Sequence, residues 1–156
     1  MPSVARLRHL VLLPLLTLAV LAGVAALGPT AQAATSQRVT HAAGIALQQV
    51  GDPYRYGAAG PRAFDCSGLM QYSFGRAGLR IPRTSTAQAR RAHHIPRSRL
   101  RRGDLMFFTH GGRVYHVAMF LRWSHGRAVM LHAPGNGKRV RVDRPWTNAW
   151  FAGTMR

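Results

Sequence analysis

The sequence predicts an α+β domain in which N-terminal helices pack on a C-terminal antiparallel β-sheet. Two observations carry that expectation. Up to about residue 93 the chain reads as helix formers bounded by capping residues. From Leu105 onward it changes to short β-prone runs separated by glycine turns, and helices followed by a strand meander indicate segregated α+β layers.

The elements follow in order. Met1 to His9 carries Arg6 and Arg8, Leu10 to Leu27 is an apolar run, and Ala31-Gln32-Ala33 has the small-x-small form of a cleavage site. That order describes a secretory signal over residues 1–33, with an uncleaved anchor as the rival reading. Removal of the signal leaves a chain long enough for one domain with its own core. Residues 34–40 read as a short polar leader, and residues 41–156 as the domain. His41 to Val50 reads as a helix stopped by Gly51, and Asp52-Pro53 breaks into the extended Tyr54-Arg55-Tyr56-Gly57. A loop over Ala58 to Ala63 leads to a helix from Cys66 to Phe74. Ser85-Thr86-Ala87-Gln88 has the form of a capping box for a third helix ending near His93. Ile95 to Gly103 reads as a basic loop. Strands are expected at Leu105–Phe108, Val114–Leu121, Ala128–His132 and Arg139–Val142, with a last one from Trp150 to Met155.

Charge is lopsided. The 156 residues carry 22 basic and four acidic side chains, a formal +18, and the acids are Asp52, Asp65, Asp104 and Asp143. Without Arg6 and Arg8 the domain keeps about +16. Such a field attracts polyanions. Export and the lack of a nucleic-acid motif argue against nucleic acid and for anionic cell-wall polymers, lipid headgroups or peptidoglycan carboxylates.

Cys66 is the only cysteine, so no internal disulfide exists. A buried, inert thiol is one reading. The other follows from its place at the first turn of a helix, where the helix dipole favours thiolate and free N–H groups can meet an oxyanion. Gly68 is expected to keep the sulfur open to substrate, and Asp65 to act as helix N-cap or substrate contact. A thiol nucleophile needs a base. His116 lies inside an apolar strand, either as a core histidine bonded to a carbonyl or as that base. His132 ends the next strand and comes within reach if the two pair as a hairpin through Ser124–Arg127. Metal chemistry is not expected, since paired Cys spacing and H-E-x-x-H are absent, and no G-x-S-x-G suggests a serine hydrolase.

Six stretches resemble the NlpC-type cell-wall endopeptidases in order and spacing. They are Gly51–Gly57, Phe64–Leu69, Ile81–Ser85, Gly103–Phe108, His116–Phe120 and Leu131–Pro134. The resemblance implies a papain-like cysteine peptidase fold with Cys66 as nucleophile, His116 as base and His132 as the orienting residue. It implies Tyr54 as a site-lining residue that helps hold the oxyanion, and Asp65, Ser67 and Ser85 as contacts to the stem peptide. Gly103-Asp104 matches a structural turn. The implied reaction is hydrolysis of peptidoglycan stem-peptide amide bonds, between D-glutamate and a diamino acid, without cofactor or metal.

The sequence departs from the family pattern at Tyr56-Gly57-Ala58-Ala59, at Ala118, and in the longer segment between His116 and His132. The expected partners are peptidoglycan stem peptides and anionic wall polymers rather than nucleic acid. The expected state is a monomer, extracytoplasmic and wall-associated. An amidase or acyltransferase of the same fold, and a cationic wall-binding protein without hydrolysis, are the alternatives.

Overall fold

A computed structural model describes residues 30–156. The signal segment therefore lies outside the described residues, except that Ala31-Gln32-Ala33 forms the first turn of a helix. That helix, α1 (Ala31–Leu47), begins ten residues before the expected start. The supposed leader is helical because its hydroxyls are satisfied within the helix. Thr30 caps Ala33 N–H at 3.3 Å, and the Thr35 and Thr40 hydroxyls donate to the carbonyls of Ala31 and Ser36. Val39 then joins Ala42, Ala43 and Ala46 on one fully buried stripe, which ties the segment to the core.

α2 (Cys66–Arg76) is capped by Asp65, whose carboxylate accepts Gly68 N–H at 2.7 Å. α3 (Ser85–Arg91) is capped one residue earlier than expected. Thr84 is its N-cap, accepting Ala87 N–H at 3.3 Å, so no Ser85–Gln88 capping box forms. Gln88 turns inward instead, and its amide donates to the carbonyls of Ser67 and Pro82. Tertiary bonding to two other segments outweighs the local box.

Six antiparallel strands follow: β1 (His93–Ile95), β2 (Leu105–His110), β3 (Arg113–Ser124), β4 (Arg127–His132), β5 (Arg141–Asp143) and β6 (Trp150–Thr154). Their spatial order is β1-β6-β2-β3-β4-β5. The edge strand β1 was not legible beforehand. Its residues were assigned to a helix end and a loop, and it forms by pairing with distant β6.

Both sheet faces are buried. Leu105, Phe107, Val117, Met119 and Leu131 face the helices, while Met106, Phe108, Ala118, Phe120 and Met130 build a second cluster with Trp150 on the other side. The basic loop covers that second face. Its Leu100 is buried, a 3-10 turn spans Arg97–Arg99, and the Arg97 guanidinium lies 3.8 Å from the Trp150 ring centre.

Gly103-Asp104 is the structural turn that was expected. Gly103 adopts φ +92°, and a Cβ there would stand 2.3 Å from the Val39 carbonyl oxygen. Asp104 is fully buried, accepts Arg101 N–H at 2.7 Å and pairs with Arg156. Burial pushes its carboxyl pKa up despite those partners. Among the described residues no helix is long and apolar enough to cross a membrane.

Gly68 differs from its expected role. A Cβ at this position would lie 2.1 Å from the Ala58 carbonyl oxygen, so the missing side chain admits the loop backbone rather than substrate. Gly75, in the same helix, has open space around it. Gly68→Ala should therefore cost about 2–3 kcal/mol through overpacking. Gly75→Ala should add about 1 kcal/mol through helix propensity. Urea unfolding of both variants checks the contrast, and equal effects at the two sites would contradict it.

Candidate active site

Cys66 sits where the 57–65 loop meets α2. The loop is pinned from both ends: Asp65 N–H donates to Ala58 at 2.9 Å and Arg55 N–H to Phe64 at 3.0 Å. The sulfur faces the helix N-terminus and the backbone of β3, where the Val117 N–H favours thiolate. Burial is the larger influence and pushes the thiol pKa up, with the Asp65 charge adding to it. Both influences favour thiol over thiolate in the resting site.

A cleft of about 430 Å³ opens over Cys66 and is lined by Tyr54, Asp65, Ser67, Arg83 and Ser85, with Tyr115 at its edge. Every residue that the sequence assigned to nucleophile, oxyanion or substrate contact thus meets at one cleft. Asp65 is the most heavily engaged of them. Its Oδ1 accepts from Gly68 N–H, the Ser67 hydroxyl and Arg83, while its Oδ2 accepts Gly57 N–H at 2.9 Å and Arg83 at 2.6 Å. Burial opposes its charge, but Arg83 and the two backbone donors hold its carboxyl below the usual range. Arg83 also reaches the Ser67 hydroxyl at 3.1 Å, so the polar atoms of Asp65 and Ser67 are already bonded within the protein. Tyr54 keeps its phenolic proton: burial raises its pKa, and the negative charges that Cys66 and Asp65 can carry raise it further.

The two strand histidines do come together. His116 Nε2 and His132 Nδ1 are 2.9 Å apart, with rings nearly perpendicular. Register explains this. Met119 pairs with Leu131, so one step further along the ladder His132 stands across from Ala118 and diagonal to His116, within side-chain reach. A register shift between Phe120 and Arg122 leaves one residue of the β3 arm, Leu121, without a partner. Both rings are buried, and desolvation pushes His116 down to about 3 and His132 to about 4. The pair is neutral at pH 7.

Four further groups belong to this neighbourhood. Arg83 and Tyr115 line the cleft, Asp143 Oδ2 lies 3.8 Å from His132 Nε2, and Trp146 stacks on Phe108 while facing both imidazoles. Trp146 also donates its indole N–H to the Tyr115 hydroxyl at 3.3 Å. Arg83 lies within the family-like stretch Ile81–Ser85 but is one arginine among many, and Trp146 lies in a loop far along the chain, so the sequence singled out neither. Asp143 did carry one: it is one of only four acids, and it lies two residues from Arg141 on a strand. Among the described residues no group of three or more metal-binding side chains forms.

Residues 51–156 match the NlpC/P60 family. The chain belongs to that family. It is 37% identical over 105 residues to "Probable endopeptidase p60" of Listeria monocytogenes, covering 67% of this chain and 20% of that protein. It is 39% identical over 109 residues to "Peptidoglycan endopeptidase RipA" of Mycobacterium tuberculosis, covering 62% and 22%. The chain therefore spans about a fifth of the length of these two relatives. Among solved structures, the peptidoglycan hydrolase RipB of M. tuberculosis superposes with a TM-score of 0.67 at 32% identity, over 80% of this chain and 67% of RipB. RipD of M. tuberculosis, described as a non-catalytic NlpC/P60 domain protein adapted to peptidoglycan binding, gives 0.64 at 28% identity, over 77% and 98%. The NlpC resemblance and the α+β, papain-like fold expected from the sequence are both borne out.

Buried neutral histidines tie stability to pH. Their folded pKa values lie below the ordinary 6.5, so from pH 6.5 down to about 4 for His132 and about 3 for His116 the unfolded chain binds protons that the folded one refuses. Stability is full above pH 6.5 and falls as acid is added through that window. Asp104, with its raised pKa, acts in the opposite sense, and Asp65 and Asp143 lose their contribution only at the acid end. The melting temperature should drop from pH 7 to 4.5, less steeply in His132→Gln. A flat wild-type profile measured by calorimetry would rule out neutral burial of the pair.

Proposed function

We propose that this protein is a secreted peptidoglycan endopeptidase that hydrolyses stem-peptide amide bonds, between D-glutamate and a diamino acid, with Cys66, His116 and His132. The observation that carries the reading is the buried 2.9 Å His116–His132 contact, with His116 adjoining Val117, whose backbone N–H bonds the Cys66 thiol at the start of α2. The family relatives described as endopeptidases and hydrolases of peptidoglycan support the substrate class. Residues 1–33 supply the export signal in this reading.

The mechanism is acyl transfer. Cys66 Sγ attacks the scissile carbonyl while its proton passes to His116, so thiolate forms only as it is consumed. This suits a resting pair in which burial keeps thiol and imidazole neutral. The oxyanion meets the N–H groups at the start of α2 and the Tyr54 hydroxyl. His116 returns the proton to the leaving amine, and a water then cleaves the thioester, giving a free carboxylate and regenerating the thiol. Asp65, Ser67 and Ser85 meet the charged ends of the stem peptide, with Arg83 screening Asp65.

RipD makes a second reading specific: a wall-binding protein without hydrolysis, relying on the cationic surface. Digestion of purified peptidoglycan by the chain and by Cys66→Ala separates the two. Stem fragments identified by mass and reduced at least a hundredfold in the variant are expected. Equal release by both proteins would sink the thiol mechanism. The charge supports retention on anionic wall polymers in either reading. Rising salt should release the protein from walls before it slows turnover of a small stem peptide, and salt-insensitive retention would refute that role for the charge.

A further inference from the structure

Two neutral imidazoles can share a hydrogen bond in only two ways, and only one is compatible with His116 acting as a base. Each neutral ring carries one proton. If His132 donates from Nδ1, His116 accepts at Nε2 and must carry its own proton on Nδ1. No lone pair then remains on His116 to take a proton from Cys66. If His116 donates from Nε2, its Nδ1 lone pair is free, and the single proton of His132 is displaced onto Nε2. The productive arrangement therefore turns on what receives the His132 Nε2–H.

Among the described residues that nitrogen has no hydrogen-bond partner, although it is buried in a residue only 1% exposed. The acceptor beside it is Asp143 Oδ2, at 3.8 Å. The position of Asp143 is not incidental. Arg141, which pairs in register with His132 across the ladder, holds Oδ2 at 2.7 Å, and Arg144 N–H holds Oδ1 at 2.9 Å. Arg141 and Asp143 stand two residues apart, on one face of β5. The other charges around His132 are those of Lys138 and Arg144, and the Trp146 ring covers the pair from solvent. Among these neighbours Asp143 is the only carboxylate.

We propose that Asp143 is a positioning residue of the site: it accepts the His132 Nε2–H, and so holds both histidines in the tautomers that leave His116 Nδ1 free for the Cys66 proton. Closing 3.8 Å to hydrogen-bond length requires a shift of about 1 Å in β5, a three-residue strand at the edge of the sheet among the described residues. The carboxylate acts through two imidazoles and touches no reacting atom. Its charge compensates the imidazolium that forms when His116 takes the thiol proton. The catalytic part of this inference rests on the thiol mechanism proposed above, whereas the tautomer part does not.

Two measurements test it. The first is the ¹⁵N-resolved imidazole spectrum of the full chain at neutral pH, with His132 assigned by comparison with His132→Gln. A proton on His132 Nε2 is expected, with Nδ1 unprotonated. A proton on Nδ1 would overturn the proposal, whether or not the protein hydrolyses anything. The second is the pH profile of kcat and KM on a stem peptide for Asp143→Asn and Asp143→Glu. Asp143→Asn should lower kcat about ten- to a hundredfold, a share of what a general base supplies, with KM unchanged. It should also move the acidic limb to lower pH, because a charge that favours protonated imidazole is gone. Asp143→Glu should recover most of kcat and restore the limb. Wild-type kcat and an unmoved limb in Asp143→Asn would overturn the proposal. Absence of turnover in the wild type would instead sink the thiol reading, and leave the spectrum to decide the tautomer.

Discussion

The Asp65 carboxylate is the fixed point around which the cleft is assembled. It caps α2, holds the Gly57 backbone and clamps Arg83, so the loop before the helix, the helix start and the segment leading to α3 converge on one buried charge. A buried anion survives only when donors replace its hydration. Here they come from two backbone N–H groups, one hydroxyl and a guanidinium in two-point contact. The arrangement has an electrostatic consequence for its neighbour. The Asp65 charge works against the Cys66 thiolate, and the Arg83 counter-charge limits that effect without cancelling the burial that keeps the thiol protonated.

Scarcity of acids becomes intelligible once their partners are known. Asp65 meets Arg83, Asp104 meets Arg156 and Asp143 meets Arg141. Three of the four carboxylates are thus committed to internal pairing at a cleft, a buried turn and the back of the histidine pair. The surface is left with few anions to temper its arginines. The field outside the molecule is therefore nearly unipolar, while each place where chemistry or chain reversal needs a negative charge is supplied individually.

What the sequence made legible divides along the range of the interactions involved. Cys66 at a helix start, the two histidines on neighbouring strands and the Gly103-Asp104 turn rest on local pattern, and the structure has each in place. The start of α1 is misplaced because Thr35 and Thr40 look like loop residues until their hydroxyls are seen bonding back along the helix. The α3 cap was misplaced because Gln88 is recruited by Ser67 and Pro82, which are distant in sequence or outside the helix. Trp146 and β1 depend on partners far along the chain and no local pattern marks them, while Arg83 sits in the stretch Ile81–Ser85 but owes its role to Asp65, eighteen residues away. Gly68 was recognised as special for the wrong reason, since the atom it accommodates belongs to the protein's own loop.

The register shift in the β3–β4 hairpin has a bearing on the histidine pair. Side chains alternate across a sheet, so one extra residue in a hairpin arm would ordinarily send His132 to the helix side and separate it from His116. The irregularity between Phe120 and Arg122 takes up that odd residue between the histidines and the hairpin tip. Growth or shrinkage of the tip beyond it is then free to accumulate in matched pairs, one residue per arm, without disturbing the imidazoles. In this hairpin it is the parity of residues between the two histidines, rather than the length of the tip, that keeps the imidazoles on one face.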